Sequence, residues 1–144
     1  MPDVKMGVVG CGSIAEIAHL PSITHRKQAK LVAVCDTDSN QVQTAAARWG
    51  AEQSFTDYRT MFEKARLDAV VIATPNNLHR NIAVAAAHAG VHVVVEKPLA
   101  VTNNEAWDIV NACNEAGFLS SVMARYVATL PFGRVPAPES GGNI

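Results

Sequence analysis

The chain has 144 residues, 49% of them hydrophobic and 17% charged, a composition that buries a core and excludes a disordered chain. Twelve Lys and Arg against thirteen Asp and Glu leave a net charge of −1, so no basic surplus exists to neutralise a phosphate backbone and nucleic acid is excluded as a main partner. No apolar run reaches the ~18 residues of a membrane span, and Met1–Lys5 leads almost directly into a strand-like run without the apolar core of a leader, so a cytoplasmic protein with no membrane partner is expected.

The predicted elements follow a rhythm. Lys5 to Val9 is a short buried strand ending in glycines, and a helical stretch from Ser13 to about Leu20 is expected to stop before Pro21. Leu31–Cys35 is a second buried strand ending at Asp36. Asp38, with Gln41 three residues on, has the form of a capping box, and its helix runs to Trp49 and closes at Gly50. Gln53–Phe55 reads as a short edge strand and Tyr58 to about Ala65 as a short helix. Ala69–Ala73 is a third apolar strand, His79–Ala89 an alanine-rich helix closed by Gly90, and His92–Val95 a strand that ends in Glu96-Lys97-Pro98. Thr102 and Glu105 form another capping box, whose helix is expected to carry Trp107, Val110 and Cys113 inward and to stop at Gly117, before a last strand over Leu119–Met123.

These strands are uniformly apolar rather than alternating, which means burial on both faces. Alternation of strand and helix then predicts an α/β fold, a doubly wound parallel sheet of the Rossmann type. Residues 1–126 are expected to form this dinucleotide-binding domain, and 127–144, with three prolines and three glycines between Pro131 and Ile144, an irregular tail.

Gly10-Cys11-Gly12-Ser13-Ile14-Ala15 has the form G-x-G-x-x-A, directly after a strand and at the opening of a helix. The first glycine permits the turn, the second lets backbone approach a diphosphate, and the helix N-terminus offers free N–H groups to the anion. The alternative is a purely structural strand-to-helix turn. Asp36 ends the second strand, 26 residues after Gly10, against ~20 in the general rule. Its carboxylate can accept from ribose hydroxyls and repel a 2′-phosphate, so NAD is expected in preference to NADP. The other strands end in Thr74-Pro75-Asn76, in Glu96-Lys97-Pro98, and near Arg125-Tyr126. Lys97 is the candidate catalytic group: at the mouth of an apolar crevice it loses hydration, which favours the neutral form that can take a proton from a substrate hydroxyl. The alternative is a solvated surface lysine.

Taken together, Val8-Val9-Gly10-Cys11-Gly12-Ser13-Ile14-Ala15, His19-Leu20-Pro21, Ala73-Thr74-Pro75-Asn76 with His79, and Glu96-Lys97-Pro98-Leu99-Ala100 resemble the glucose-fructose oxidoreductase / inositol dehydrogenase family. The resemblance covers about residues 4 to 126. It implies that Gly10, Gly12, Ser13 and Ile14 meet the diphosphate, Asp36 the adenine ribose, and Thr74, Pro75, Asn76 and His79 the nicotinamide side. Glu96 and Lys97 would reach the nicotinamide ribose and the reacting carbon, and Arg125 matches a basic residue that the family carries after the sixth strand. The implied reaction is hydride transfer between nicotinamide and a sugar, cyclitol or related polyol. The family continues for about another domain (~200 residues), which carries an Asp-x-x-x-His motif; no Asp here is followed by His four places later. This chain is therefore expected to lack the C-terminal substrate domain and to be inactive without it. The competing reading is a nucleotide-binding module without turnover. Apolar area left unmatched near the last strand and Tyr126 leads to an expected homo-oligomer.

The remaining polar and aromatic residues have plainer readings. Three scattered cysteines, Cys11, Cys35 and Cys113, with no C-x-x-C, suit buried reduced thiols. Cys11 at a helix start leaves a redox role as the lesser alternative. Five histidines include no H-x-x-x-H pair on one helix, so no metal site is expected. His19 is read as a packing residue near the glycine loop, His79 as a helix-start residue or a nicotinamide contact, and Trp49 and Trp107 as core or interface anchors.

Overall fold

The structure, a computed structural model, describes residues 2–117 and 120–123. Six strands, β1 (Val4–Val9), β2 (Ala29–Cys35), β3 (Gln53–Phe55), β4 (Ala69–Ile72), β5 (His92–Glu96) and β6 (Ser120–Met123), form one sheet in the order β3-β2-β1-β4-β5-β6. Every pairing is parallel. The chain winds outward from β1 to one edge, then returns to β4 on its other side. The carboxyl ends of β1 and β4 therefore flank the switch point of a doubly wound sheet, where the crevice opens.

Two apolar layers cover the sheet, as the continuous apolar strands require. Val8, Val34 and Val71 face one layer with Leu20, Ile23, Val42 and Ala45. Val9, Val70, Ile72, Val93 and Val95 face the other with Met61, Ile82, Ala86 and Ile109. The period-two alternation breaks once: Met6 pairs with Leu31 and Gly7 with Ala33, leaving Val32 as an extra residue in β2, and Val32 and Ala33 both enter the second layer.

The helices form where their caps stand. In α2 (Ser39–Trp49) the Asp38 side chain accepts from the Asn40 and Gln41 N–H groups, and Gly50 ends the helix in a left-handed conformation. In α5 (Asn103–Ala116) Thr102 and Glu105 make the full capping box. α3 (Tyr58–Lys64) starts at Asp57, and α4 (His79–His88) follows a 3₁₀ turn over Asn76–Leu78.

Two expectations are corrected. The helix after the glycine loop does not stop before Pro21. A wide π-type turn over Ala15–His19 continues into α1 (Leu20–Thr24), whose first turn contains Pro21. A proline ring collides with the carbonyl four residues back in a regular helix, and the widened turn makes room for it. Trp107 does not point inward: it is 52% exposed, and the buried residues of α5 are Ile109, Ala112 and Cys113. Two positions separate Trp107 from Ile109, about 200° around a helix, so Trp107 stands nearly opposite the middle of the buried face. Trp49 is half-buried and donates its indole N–H to Glu16 Oε2 at 2.8 Å, joining α2 to the wide turn. Among the described residues no helix is long and apolar enough to cross a membrane. Arg125, Tyr126 and the tail 127–144 lie outside the described residues.

Candidate functional site

A cleft of about 350 Å³ lies along the carboxyl edge of the sheet. Its floor is the turn after β1. Gly10 adopts φ +95, and a Cβ placed on it would lie 2.6 Å from Ala73 O, so only glycine lets β1 and β4 approach here. Its N–H donates to Cys35 O at 2.8 Å. Gly12 also lines the cleft, with nothing within 4 Å of the place where a Cβ would stand. That bare stretch of backbone precedes Ser13, which is exposed, and Ile14, which is half-buried.

Asp36 forms one end of the cleft. Its Oδ2 accepts from the Cys11 N–H at 2.8 Å and its Oδ1 from the Asp38 N–H at 2.9 Å. The carboxylate thus ties the glycine loop to the start of α2, and each oxygen retains a lone pair for a second donor. Opposite β1, Thr74 and Pro75 line the same cleft, together with Leu78 and Asn81 from the start of α4 and Tyr58 from the start of α3. The Arg59 guanidinium stacks over the Tyr58 ring at 4.6 Å. Thr37, Tyr58, Leu78 and Asn81 carry no motif and are separated along the chain. The sequence reading missed them because only the strand order brings them to one wall.

At the end of β5 both carboxylate oxygens of Glu96 are engaged. Its Oε1 lies 2.7 Å from His19 Nε2, and its Oε2 accepts the Lys97 N–H at 3.1 Å. Lys97 itself is exposed and forms no ion pair among the described residues, so this domain does not supply the dehydration expected of its ammonium. The Lys97–Pro98 peptide is cis. His79 is 1% exposed, with Nδ1 2.9 Å from Pro98 O and Nε2 2.9 Å from Thr74 O. Both ring nitrogens are engaged by backbone, so His79 supports the turn rather than offering an atom to the cleft. Asn76 is exposed beside it.

The thiols are chemically quiet. Burial, reinforced by the Asp36 carboxylate, pushes Cys11 up to about 12, and burial pushes Cys35 up to about 12. Neither is a thiolate at neutral pH, which disfavours the redox role considered for Cys11. Among the described residues no group of three or more His, Cys, Asp or Glu side chains forms a metal cluster.

Residues 4–124 match the oxidoreductase family described by its NAD-binding Rossmann fold, that of glucose-fructose oxidoreductase and inositol dehydrogenase. The chain belongs to this family. Its relatives include the D-apiose dehydrogenase of Paraburkholderia graminis, 36% identical over 113 residues, which cover 78% of this chain and 30% of that protein. Among solved structures, the WlbA dehydrogenase of Bordetella pertussis in complex with NADH and UDP-GlcNAcA superimposes with a TM-score of 0.80 at 39% identity, covering 84% of this chain and 37% of that one. The scyllo-inositol dehydrogenase of Lactobacillus casei, with bound NAD(H) and scyllo-inositol, gives 0.78 at 27% identity over 83% of this chain and 36% of the other. This oxidoreductase-family chain thus spans about a third of the length of the relatives it matches.

Proposed function

We propose that the cleft binds NAD in preference to NADP and that the full-length protein transfers a hydride between the nicotinamide and a carbinol carbon of a sugar, cyclitol or related polyol. The observation that carries this reading is the Asp36 carboxylate, anchored by two backbone N–H groups at one end of a cleft floored by Gly10 and Gly12. A carboxylate so placed accepts from the adenine ribose hydroxyls and repels a 2′-phosphate. The N–H groups after Gly12 take the diphosphate. Thr74, Pro75 and Asn76 border the nicotinamide side, with Glu96 and Lys97 beyond them.

When bound, the nicotinamide supplies the hydride acceptor or donor. Lys97 Nζ hydrogen-bonds the substrate hydroxyl and, in its neutral form, takes the proton that leaves as the carbonyl forms; in reduction it returns that proton. Since Lys97 is exposed here, its dehydration falls to the substrate-side domain that longer relatives carry. The 144-residue chain by itself binds nucleotide without turnover. The named substrates of the relatives, D-apiose and scyllo-inositol among them, support the polyol class.

Calorimetric titration of the chain with NADH and NADPH, alongside a turnover assay with NAD and myo-inositol or an aldose, tests both parts. NADH is expected to bind more tightly than NADPH, with no steady NADH production. Tighter NADPH binding overturns the cofactor preference, and sustained turnover overturns the dependence on a second domain.

A further inference from the structure

Two buried side chains stand beside the cleft without lining it. His19 is 4% exposed and His79 1%, and they are the buried polar or charged residues among those described. Both engage the Glu96–Pro98 turn. His19 Nε2 pairs with Glu96 Oε1 at 2.7 Å, while Glu96 Oε2 holds the Lys97 N–H. His79 spans Pro98 O and Thr74 O at 2.9 Å each. Carbonyl oxygens only accept, so the ring bonds both of them only when each of its nitrogens carries a proton.

Packing alone does not call for histidine here. An apolar side chain of similar size fills a buried site without the desolvation cost of a polar ring. Topology gives these rings a use. His19 belongs to the wide turn behind the glycine loop, which leaves β1; Thr74 ends β4; Glu96, Lys97 and Pro98 end β5. β1, β4 and β5 are neighbours in the sheet, but ladder bonds do not connect the loops beyond their ends. The two rings supply that connection.

We propose that His19 and His79 are positioning residues: a two-sided clamp that fixes the Lys97 turn to the glycine-loop side through Glu96 and to the Thr74 side through Pro98, presetting the loops that receive the nicotinamide half of the nucleotide. This inference rests on the nucleotide reading above. Neither ring lines the cleft, so the effect on a bound nucleotide runs through the loops.

The test compares NADH with ADP, which carries the adenosine and diphosphate but no nicotinamide riboside, by calorimetry on the 144-residue chain. His19→Leu and His79→Leu are each expected to weaken NADH about tenfold while ADP stays within about twofold. His19→Gln, which keeps an N–H for Glu96, is expected to recover most of the loss. Equal losses for NADH and ADP would mean general loosening and would overturn the clamp, as would unchanged NADH binding or no recovery in His19→Gln. If His79→Leu does not fold, the His19 pair decides. Wild-type protein that binds neither ligand takes down the nucleotide reading and the clamp with it, whereas normal wild-type binding with a failed ratio takes down the clamp alone.

Discussion

The two glycines of the loop after β1 make opposite demands, and a paired substitution separates them. In Gly10→Ala the new Cβ would stand 2.6 Å from Ala73 O, 2.7 Å from Ala73 C and 2.9 Å from Thr74 N, at a φ of +95. All three neighbours are backbone of the adjoining strand end, which cannot step aside as a flexible side chain would. Positive-φ strain and overpacking together cost about 2–4 kcal/mol, a fall in Tm of roughly 10 °C for a domain of this size. In Gly12→Ala the Cβ meets nothing within 4 Å, so stability is expected to be unchanged or to rise by up to about 1 kcal/mol through a less flexible unfolded chain. Gly12 also lines the cleft, where a diphosphate needs bare backbone, and NADH affinity is expected to fall about tenfold or more. Urea unfolding and NADH titration on both variants read the two effects. A Gly12→Ala protein that binds NADH normally would refute the close approach of backbone to diphosphate. A Gly10→Ala protein as stable as wild type would refute the contact between the β1 turn and the end of β4.

The thiols predict a pH dependence. Cys11 and Cys35 rise from an ordinary 9.0 to about 12 in the folded protein, chiefly through burial, so their stabilising effect is whole below pH 9 and is lost as pH climbs toward 12, at up to about 1.4 kcal/mol per pH unit for each thiol. Urea midpoints between pH 8 and 10.5 should fall more steeply for wild type than for a Cys11→Ala/Cys35→Ala variant; equal slopes would contradict the buried-thiol account. Thr102→Ala removes the acceptor of the Glu105 N–H, 3.2 Å away, at the start of α5, and is expected to cost about 1 kcal/mol. A loss within the error of the unfolding measurement would show that the capping box is idle.

Local chemistry wrote much of this fold. Continuous apolar strands such as Ala69–Ile72 announced burial on both faces, and Asp38, Thr102, Gly50 and Gly117 marked helix ends that the backbone adopts. The glycine loop and Asp36 were legible because a strand, a tight turn and a helix start are all local features. The Pro21 boundary failed because a proline signals a break only in a regular helix, and the π-type turn just before it is not regular. The inward stripe read for α5 failed because the buried face centres on Ile109 and Ala112, nearly opposite Trp107. What tertiary structure alone decided is which loops meet: Glu96 finds His19 across 77 residues of sequence, and Tyr58, Asn81 and Asp36 share one wall. These meetings follow from the order in which strands cross the sheet, a long-range outcome of packing both faces at once, and side-chain periodicity within any single element carries no record of it.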